Sequence, residues 1–259
     1  MTLYLYMEPR DKFSTIEKYQ SLIDMGRTFI SEEIEALREL EQEKMSGHPV
    51  DADIIFNLSY SIFEEQKTVF IALYSKGEAV CNLLPQYQLL VDYMLKGWNK
   101  AGGYVQMIWM LSCGIMLNTP LPQFEKMVAL VKEQRLKDFL IDSLIQYRIP
   151  TWNISTNDLV DIRPYKALQE VISLSKQDKG KAVERLKTYL SKEWYRGHSD
   201  CGWHDNHKTP SIHFGYWSFE SGALVRILGL DDSSLRGLPY YPYDMVHWKE
   251  ERSGESKRV

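Results

Sequence analysis

Residues 16–37 read IEKYQSLIDMGRTFISEEIEAL, and their spacing decides the fold class. Ile16, Tyr19, Ile23, Ile30, Ile34 and Leu37 fall at helical steps with charged residues between them, so one helix face is apolar and the other solvated. Gly47-His48-Pro49 ends this helix, because Gly accepts a left-handed cap and Pro cannot extend the hydrogen-bond ladder. Asp51 is placed to cap a second helix, with Ile55, Leu58, Ile62, Val69 and Leu73 as its stripe. So short a connection sets the two helices antiparallel.

The same reading extends outward. A shorter helix is expected from Pro85 to Lys96, and Ala101-Gly102-Gly103 breaks the chain before Tyr104–Leu117. That segment is apolar on nearly every side, which places it at the centre of a core, and it is too short to cross a bilayer. Asn118-Thr119-Pro120 stops it. Gln123 to Gln146 reads as helix with a break near Glu133, and Met127, Leu130, Val131, Phe139, Leu140 and Leu144 turn inward. Ile149 to Pro164 is irregular. Helical patterns resume at Tyr165–Ser175, at Gly180–Tyr195 and at Gly215–Gly229. Nothing calls for a strand. The expected fold is all-α, a multi-helix bundle-like arrangement in two packed helical halves without significant sheet. Residues 1–120 and 121–250 are the expected halves, and 251–259 form a charged tail with no apolar anchor, expected to be disordered.

The chain has 259 residues, 44% of them hydrophobic and 25% charged, which suits a globular protein with a sizeable core. Met1 to Met7 lacks the basic flank of a signal peptide. The three cysteines (Cys81, Cys113, Cys201) are odd in number and widely spaced, unlike a disulfide scaffold, so a cytoplasmic protein with reduced thiols is expected. Net charge is −4, but Glu17 to Glu65 holds twelve acidic residues against four basic ones, and the remainder of the chain is slightly basic. Such a balance repels nucleic acid and attracts a basic partner; it is also what the solvated faces of two amphipathic helices look like.

The most distinctive text lies near the C-terminus: Gly215-Tyr216-Trp217-Ser218-Phe219-Glu220, then Leu230-Asp231-Asp232-Ser233-Ser234, then Tyr240-Tyr241-Pro242-Tyr243-Asp244. In order and spacing these motifs resemble the C-terminal domain of the PoNi family, immunity proteins for PoNe-type DNase toxins. Arg10-Asp11-Lys12-Phe13, entering a helix with Tyr19 and Ile23, resembles the family's N-terminal domain. The resemblance spans roughly Arg10 to Trp248. It implies an all-helical cytoplasmic protein that binds the nuclease domain of a cognate toxin, with no cofactor and no activity beyond inhibition. Read by chemistry alone, Glu220 falls in an apolar helix and needs a partner, with Arg226, His213, Tyr240 and Tyr241 as candidates. Asp231-Asp232-Ser233 suits a helix cap after Gly229, and Tyr243-Asp244 starts the last helix behind Pro242. These motif residues are expected to form an aromatic and polar latch on the core.

Rival chemistry in the sequence is thin. Five of the six histidines lie between His198 and His247, and Cys201, His204, His207 and His213 offer zinc-ligand types. Their spacing contains neither a CxxC pair nor HExxH, so a metal-dependent enzyme built on residues 198–213 ranks behind a binding protein. Neither a GxSxG nucleophile nor a phosphate-cradling glycine loop is present, and no catalytic residue, metal site or cofactor is expected. The expected binding face is acidic. Glu32, Glu35, Glu39 and Glu43 recur at steps of three or four on the first helix, and Asp51 and Asp53 extend them at the neighbouring turn. The expected partner is a DNase toxin, with no nucleic acid and no membrane involved. An adaptor that offers the same face to another basic protein is the alternative.

Overall fold

In a computed structural model, residues 8–101, 103–209 and 211–255 are described. Among them there is no strand, and the fold is all-α. The chain divides into two compact units. The first comprises the described residues up to Trp98 together with Asp205–Tyr216; the second comprises Asn99–His204 and the chain from Trp217 onward.

In the first unit, helices α1 (Ile16–Met45), α2 (Ala52–Lys76) and α3 (Val80–Gly97) pack in sequence, α1 on α2 and α2 on α3. Tyr19, Ile23 and Leu37 of the expected stripe are buried, while Ile16, Ile30 and Ile34 are half-buried. Asp51 caps α2 as anticipated, its carboxylate accepting from the Asp53 amide at 2.9 Å. Two glycines set how closely the helices meet. A Cβ on Gly26 would lie 2.6 Å from Glu65 Oε1 and from Val69 Cγ2, and one on Gly97 would lie 2.2 Å from the Tyr60 backbone nitrogen. α3 begins at Val80, not at Pro85, which lies inside it.

The N-terminal arm and the inserted loop 205–216 complete this unit. Arg10 donates to the Tyr74 and Glu78 carbonyls at 2.9 and 2.7 Å, tying the arm to the last turn of α2 and the residues just beyond it. Asp11 is buried. Its amide donates to the Ser75 carbonyl at 3.2 Å, and its carboxylate accepts from the amides of Phe13 (2.7 Å) and Tyr216 (2.8 Å). The same carboxylate lies 3.3 Å from His213 Nε2. Arg10 and Asp11 thereby bind the arm and the inserted loop to the end of α2.

The second unit is built around α4 (Tyr104–Met116), every residue of which is buried apart from half-buried Val105. α5 (Leu121–Glu133) and α6 (Phe139–Arg148) follow, separated at 134–138 close to the expected break. Two carboxylates on and before α6 hold the irregular stretch that follows. Asp138 accepts from Tyr104 OH and the Val160 amide, and Asp142 accepts from the Trp152 indole and from Ser155. Next come α7 (Ile162–Ser175), α8 (Lys179–Thr188), one π turn (Tyr189–Glu193) and α9 (Trp194–Gly197). α10 (Phe219–Leu228) packs on α4, and a Cβ on its Gly222 would lie 2.5 Å from Met116 Sδ. The expected helix from Gly215 is shorter at its start, because Gly215 has φ +117° and the chain to Ser218 is not helical. α11 (Tyr243–Glu255) starts where Pro242 predicts. It runs into the charged tail expected at 251–259, whose last four residues lie outside the described residues, as does the segment Met1 to Met7. Among the described residues no helix is long and apolar enough to cross a membrane.

Candidate functional site

Glu32, Glu35, Glu39 and Glu43 all lie exposed on α1, and Asp51 and Asp53 lie exposed at the start of α2. Neighbouring carboxylates on the same helices are engaged inside the unit. Glu33 accepts from Ser61 OH at 2.8 Å, Glu41 pairs with Lys96 at 3.0 Å and Glu64 pairs with Lys67 at 2.6 Å. Glu65 is half-buried beside Glu33 and Glu64, and burial followed by those two charges pushes its carboxyl above the ordinary range. The four α1 glutamates have no ion pair among the described residues, so their charge is uncompensated.

Apolar side chains share this face. Met25 and Phe29 on α1 are 54% and 44% exposed. Positions 25, 29, 32, 36, 39 and 43 alternate steps of four and three, so they run along one side of the helix. Two apolar side chains therefore lead into Glu32, Glu39 and Glu43. This side of the helix therefore presents negative charge and exposed apolar surface together.

Of the C-terminal motifs, residues 215–220 are buried together with Asp232, Tyr241 and Pro242, whereas Asp231, Ser233 and Ser234 are exposed and Tyr240, Tyr243 and Asp244 are half-buried. In the first unit Tyr216 places its hydroxyl 2.9 Å from His207 Nδ1. In the second unit Phe219 meets Trp109 edge-on at 5.9 Å, and Tyr240, at φ +68°, lays its ring 4.8 Å from Trp194 while its carbonyl accepts from the Ser218 amide at 2.8 Å. Asp231 caps a short turn by accepting from the Ser233 amide at 3.0 Å. Asp232 accepts from Tyr241 OH and lies 3.0 Å from His247 Nε2. Pro242 is buried, 2.8 Å from where a Cβ on Gly222 would fall, and Asp244 lies in the first turn of α11. Trp217 is buried as well.

Glu220 is fully buried, and its partners are none of the four side chains expected. It accepts from Trp194 Nε1 (2.7 Å), Tyr189 OH (3.0 Å) and Ser218 OH (2.7 Å), all at one carboxylate oxygen. Because the Ser218 proton is committed to Glu220, Ser221 donates to Ser218 Oγ across 2.6 Å. Tyr189 and Trp194 are five residues apart, roughly 140° around an α-helix. The π turn closes with the Trp194 amide on the Tyr189 carbonyl, which brings the two toward one face. Burial pushes the Glu220 carboxyl above the ordinary range against the pull of these donors.

His198 lies beside this network. Its Nδ1 is 2.7 Å from the Trp194 carbonyl, which can only accept, so Nδ1 carries the proton and Nε2 accepts from Tyr165 OH at 2.9 Å. Burial pushes its pKa down from 6.5 to about 4, opposed by the Trp194 carbonyl. A depressed imidazole contributes stability in full above pH 6.5 and loses it as pH falls toward 4. Urea unfolding of the protein should therefore show a loss of about 3 kcal/mol between pH 7 and pH 4 that a His198→Phe variant lacks. Equal losses in both proteins would place the charge change elsewhere.

The zinc-ligand types do not converge. Cys201 and His204 belong to the second unit, where His204 stacks on Tyr195 at 4.3 Å, whereas His207 and His213 belong to the first. Among the described residues no group of three or more His, Cys, Asp or Glu side chains is placed to hold a metal ion.

Comparison with known proteins agrees with a binding role. The crystal structure of protein PA2201 from Pseudomonas aeruginosa is similar in fold, with a TM-score of 0.66 at 19% identity over 95% of this chain and 92% of that one. No curated protein sequence matches at a significant level. Residues 10–129 match the PoNe immunity protein (PoNi) N-terminal domain, and residues 136–245 match the PoNe immunity protein (PoNi) C-terminal domain. The first match begins at Arg10, whose side chain closes α2, and the second contains the Glu220 and Asp232 networks. With both domains matched in order along residues 10–245, the chain belongs to the PoNe immunity protein family.

Proposed function

We propose that this protein protects a bacterium and its kin by binding a cognate PoNe-type DNase toxin in the cytoplasm and covering its DNA-binding surface, without transforming any substrate. The observation that carries this reading is the match of both immunity domains over residues 10–245. The physical support comes from α1. A DNA-cutting enzyme needs a basic surface for phosphates, and the unpaired Glu32, Glu35, Glu39 and Glu43 compete for such a surface. Asp51 and Asp53 enlarge the negative field, while exposed Met25 and Phe29 supply the desolvated contact that slows dissociation.

The reading is tested by titrating the purified, metal-free chain into a DNA-cleavage assay of the nuclease encoded beside its gene. Binding predicts that cleavage falls linearly and stops at one inhibitor per toxin. Complete loss of cleavage at a small fraction of that ratio would mean turnover. No inhibition at several-fold excess would remove the immunity reading for that pair.

A further inference from the structure

Positive charge is concentrated as well, and in the second unit. Between Ile162 and Gly197 nine Lys and Arg stand against four Asp and Glu. α7 packs on α8 and α9, and these elements enclose a groove of about 360 Å³. Arg163, Lys166, Lys192 and Arg196 line it, are exposed, and have no hydrogen bond or ion pair among the described residues. The carboxylates in the groove are already engaged. Arg185 donates to Glu170 at 2.6 Å and to both oxygens of Glu193 at 2.9 and 3.0 Å, leaving the four cations uncompensated. Like charges gathered in a concavity create a strong local potential that a counter-charge relieves.

Two further observations point to an occupant. Ile162 at the groove is 65% exposed, next to Pro164 and Ala167, so an apolar wall adjoins the cations. The π turn that contributes Lys192 and Glu193 is a rare distortion, frequent at functional sites. The volume suits a few side chains rather than the face of a duplex. A peptide segment with carboxylates beside an apolar side chain satisfies all of these features.

We propose that the groove lined by Arg163, Lys166, Lys192 and Arg196 is a second docking site, which takes an acidic, apolar-anchored segment of the toxin. The proposal rests on the immunity reading. Its test measures binding of the full chain to an active-site-inactivated nuclease domain of the neighbouring toxin, and separately to a 20-base-pair DNA duplex. The parent is compared with a variant in which Arg163, Lys166, Lys192 and Arg196 are each replaced by Glu, and with Ile162→Asp alone. All five positions are exposed, and unchanged circular dichroism verifies that each variant folds. The parent should bind the nuclease and not the duplex, and each variant should bind the nuclease at least tenfold more weakly. Parental affinity in both variants overturns the groove and leaves the immunity reading standing. Failure of the parent to bind overturns both. Salt-sensitive duplex binding by the parent that the quadruple variant loses would make the groove a nucleic-acid site and overturn the peptide assignment.

Discussion

Replacing Glu220 by alanine should destabilise the second unit by on the order of 4 kcal/mol, because three buried donors lose their common acceptor and a cavity opens beside α4. Tyr189 OH, Trp194 Nε1 and Ser218 OH all end on the same oxygen, and Ser221 depends on Ser218 for its own bond. At this chain length the melting temperature should fall by roughly 10 °C. Glu220→Gln keeps an oxygen for the donors and nearly the same volume, so it should lose only about 1 kcal/mol. The two variants also separate packing from charge. Burial raises the Glu220 carboxyl in the folded state, so its ionisation opposes folding at neutral pH, and that opposition fades as pH falls through the raised value. The parent should therefore gain stability relative to Glu220→Gln on acidification. A constant difference between them from pH 7 to pH 4.5 would contradict a buried, ionisable Glu220.

This network also marks where sequence reading reaches its limit. That Glu220 needed a partner followed from a carboxylate within an apolar helix. Which partner did not, because Tyr189 and Trp194 lie 31 and 26 residues upstream and face the carboxylate only through the π turn. Local signals worked where local chemistry decides. The stripe from Ile16 to Leu37, the stop at Gly47 to Pro49 and the Asp51 cap each involve neighbours within one or two turns. They misled where a local signal was absent or ambiguous. Pro85 resembles a helix start, but α3 begins five residues earlier at Val80, after Ala79, which offers no capping side chain. Gly215 resembles a helix residue in an apolar run, and its positive φ forbids it. Loop 205–216 belongs with α1–α3 through Asp11, a contact spanning 205 residues that no periodicity encodes. On the candidate face, exposure of the four glutamates was legible from their helical spacing. The cationic groove was missed, although the excess of basic residues between Ile162 and Gly197 was a usable signal.

Reversing Glu32, Glu35, Glu39 and Glu43 to lysine should slow toxin association by about 10- to 100-fold at low salt. The change moves the net charge of the chain from −4 to +4, and it does so on the surface proposed to meet a basic cleft. Folding should survive. All four side chains are exposed and free of ion pairs among the described residues, and surface substitutions of that kind shift stability by about 0.5 kcal/mol or less each. Dissociation should change less than association, because Met25 and Phe29 remain in place. Protection of cells at low expression should fall with the association rate, since an intracellular nuclease must be captured before it cuts.

The proposal that an acidic helical face captures a basic nuclease is tested most directly by the association rate constant as a function of salt. Stopped-flow mixing of the parent and the quadruple lysine variant with inactivated toxin, from about 20 mM to about 500 mM salt, isolates the long-range term. The account predicts a steep fall for the parent and a slow rate for the variant that rises as salt screens the new repulsion, the two converging at high salt. A parent rate indifferent to salt, or a variant that associates as fast as the parent throughout, would contradict it.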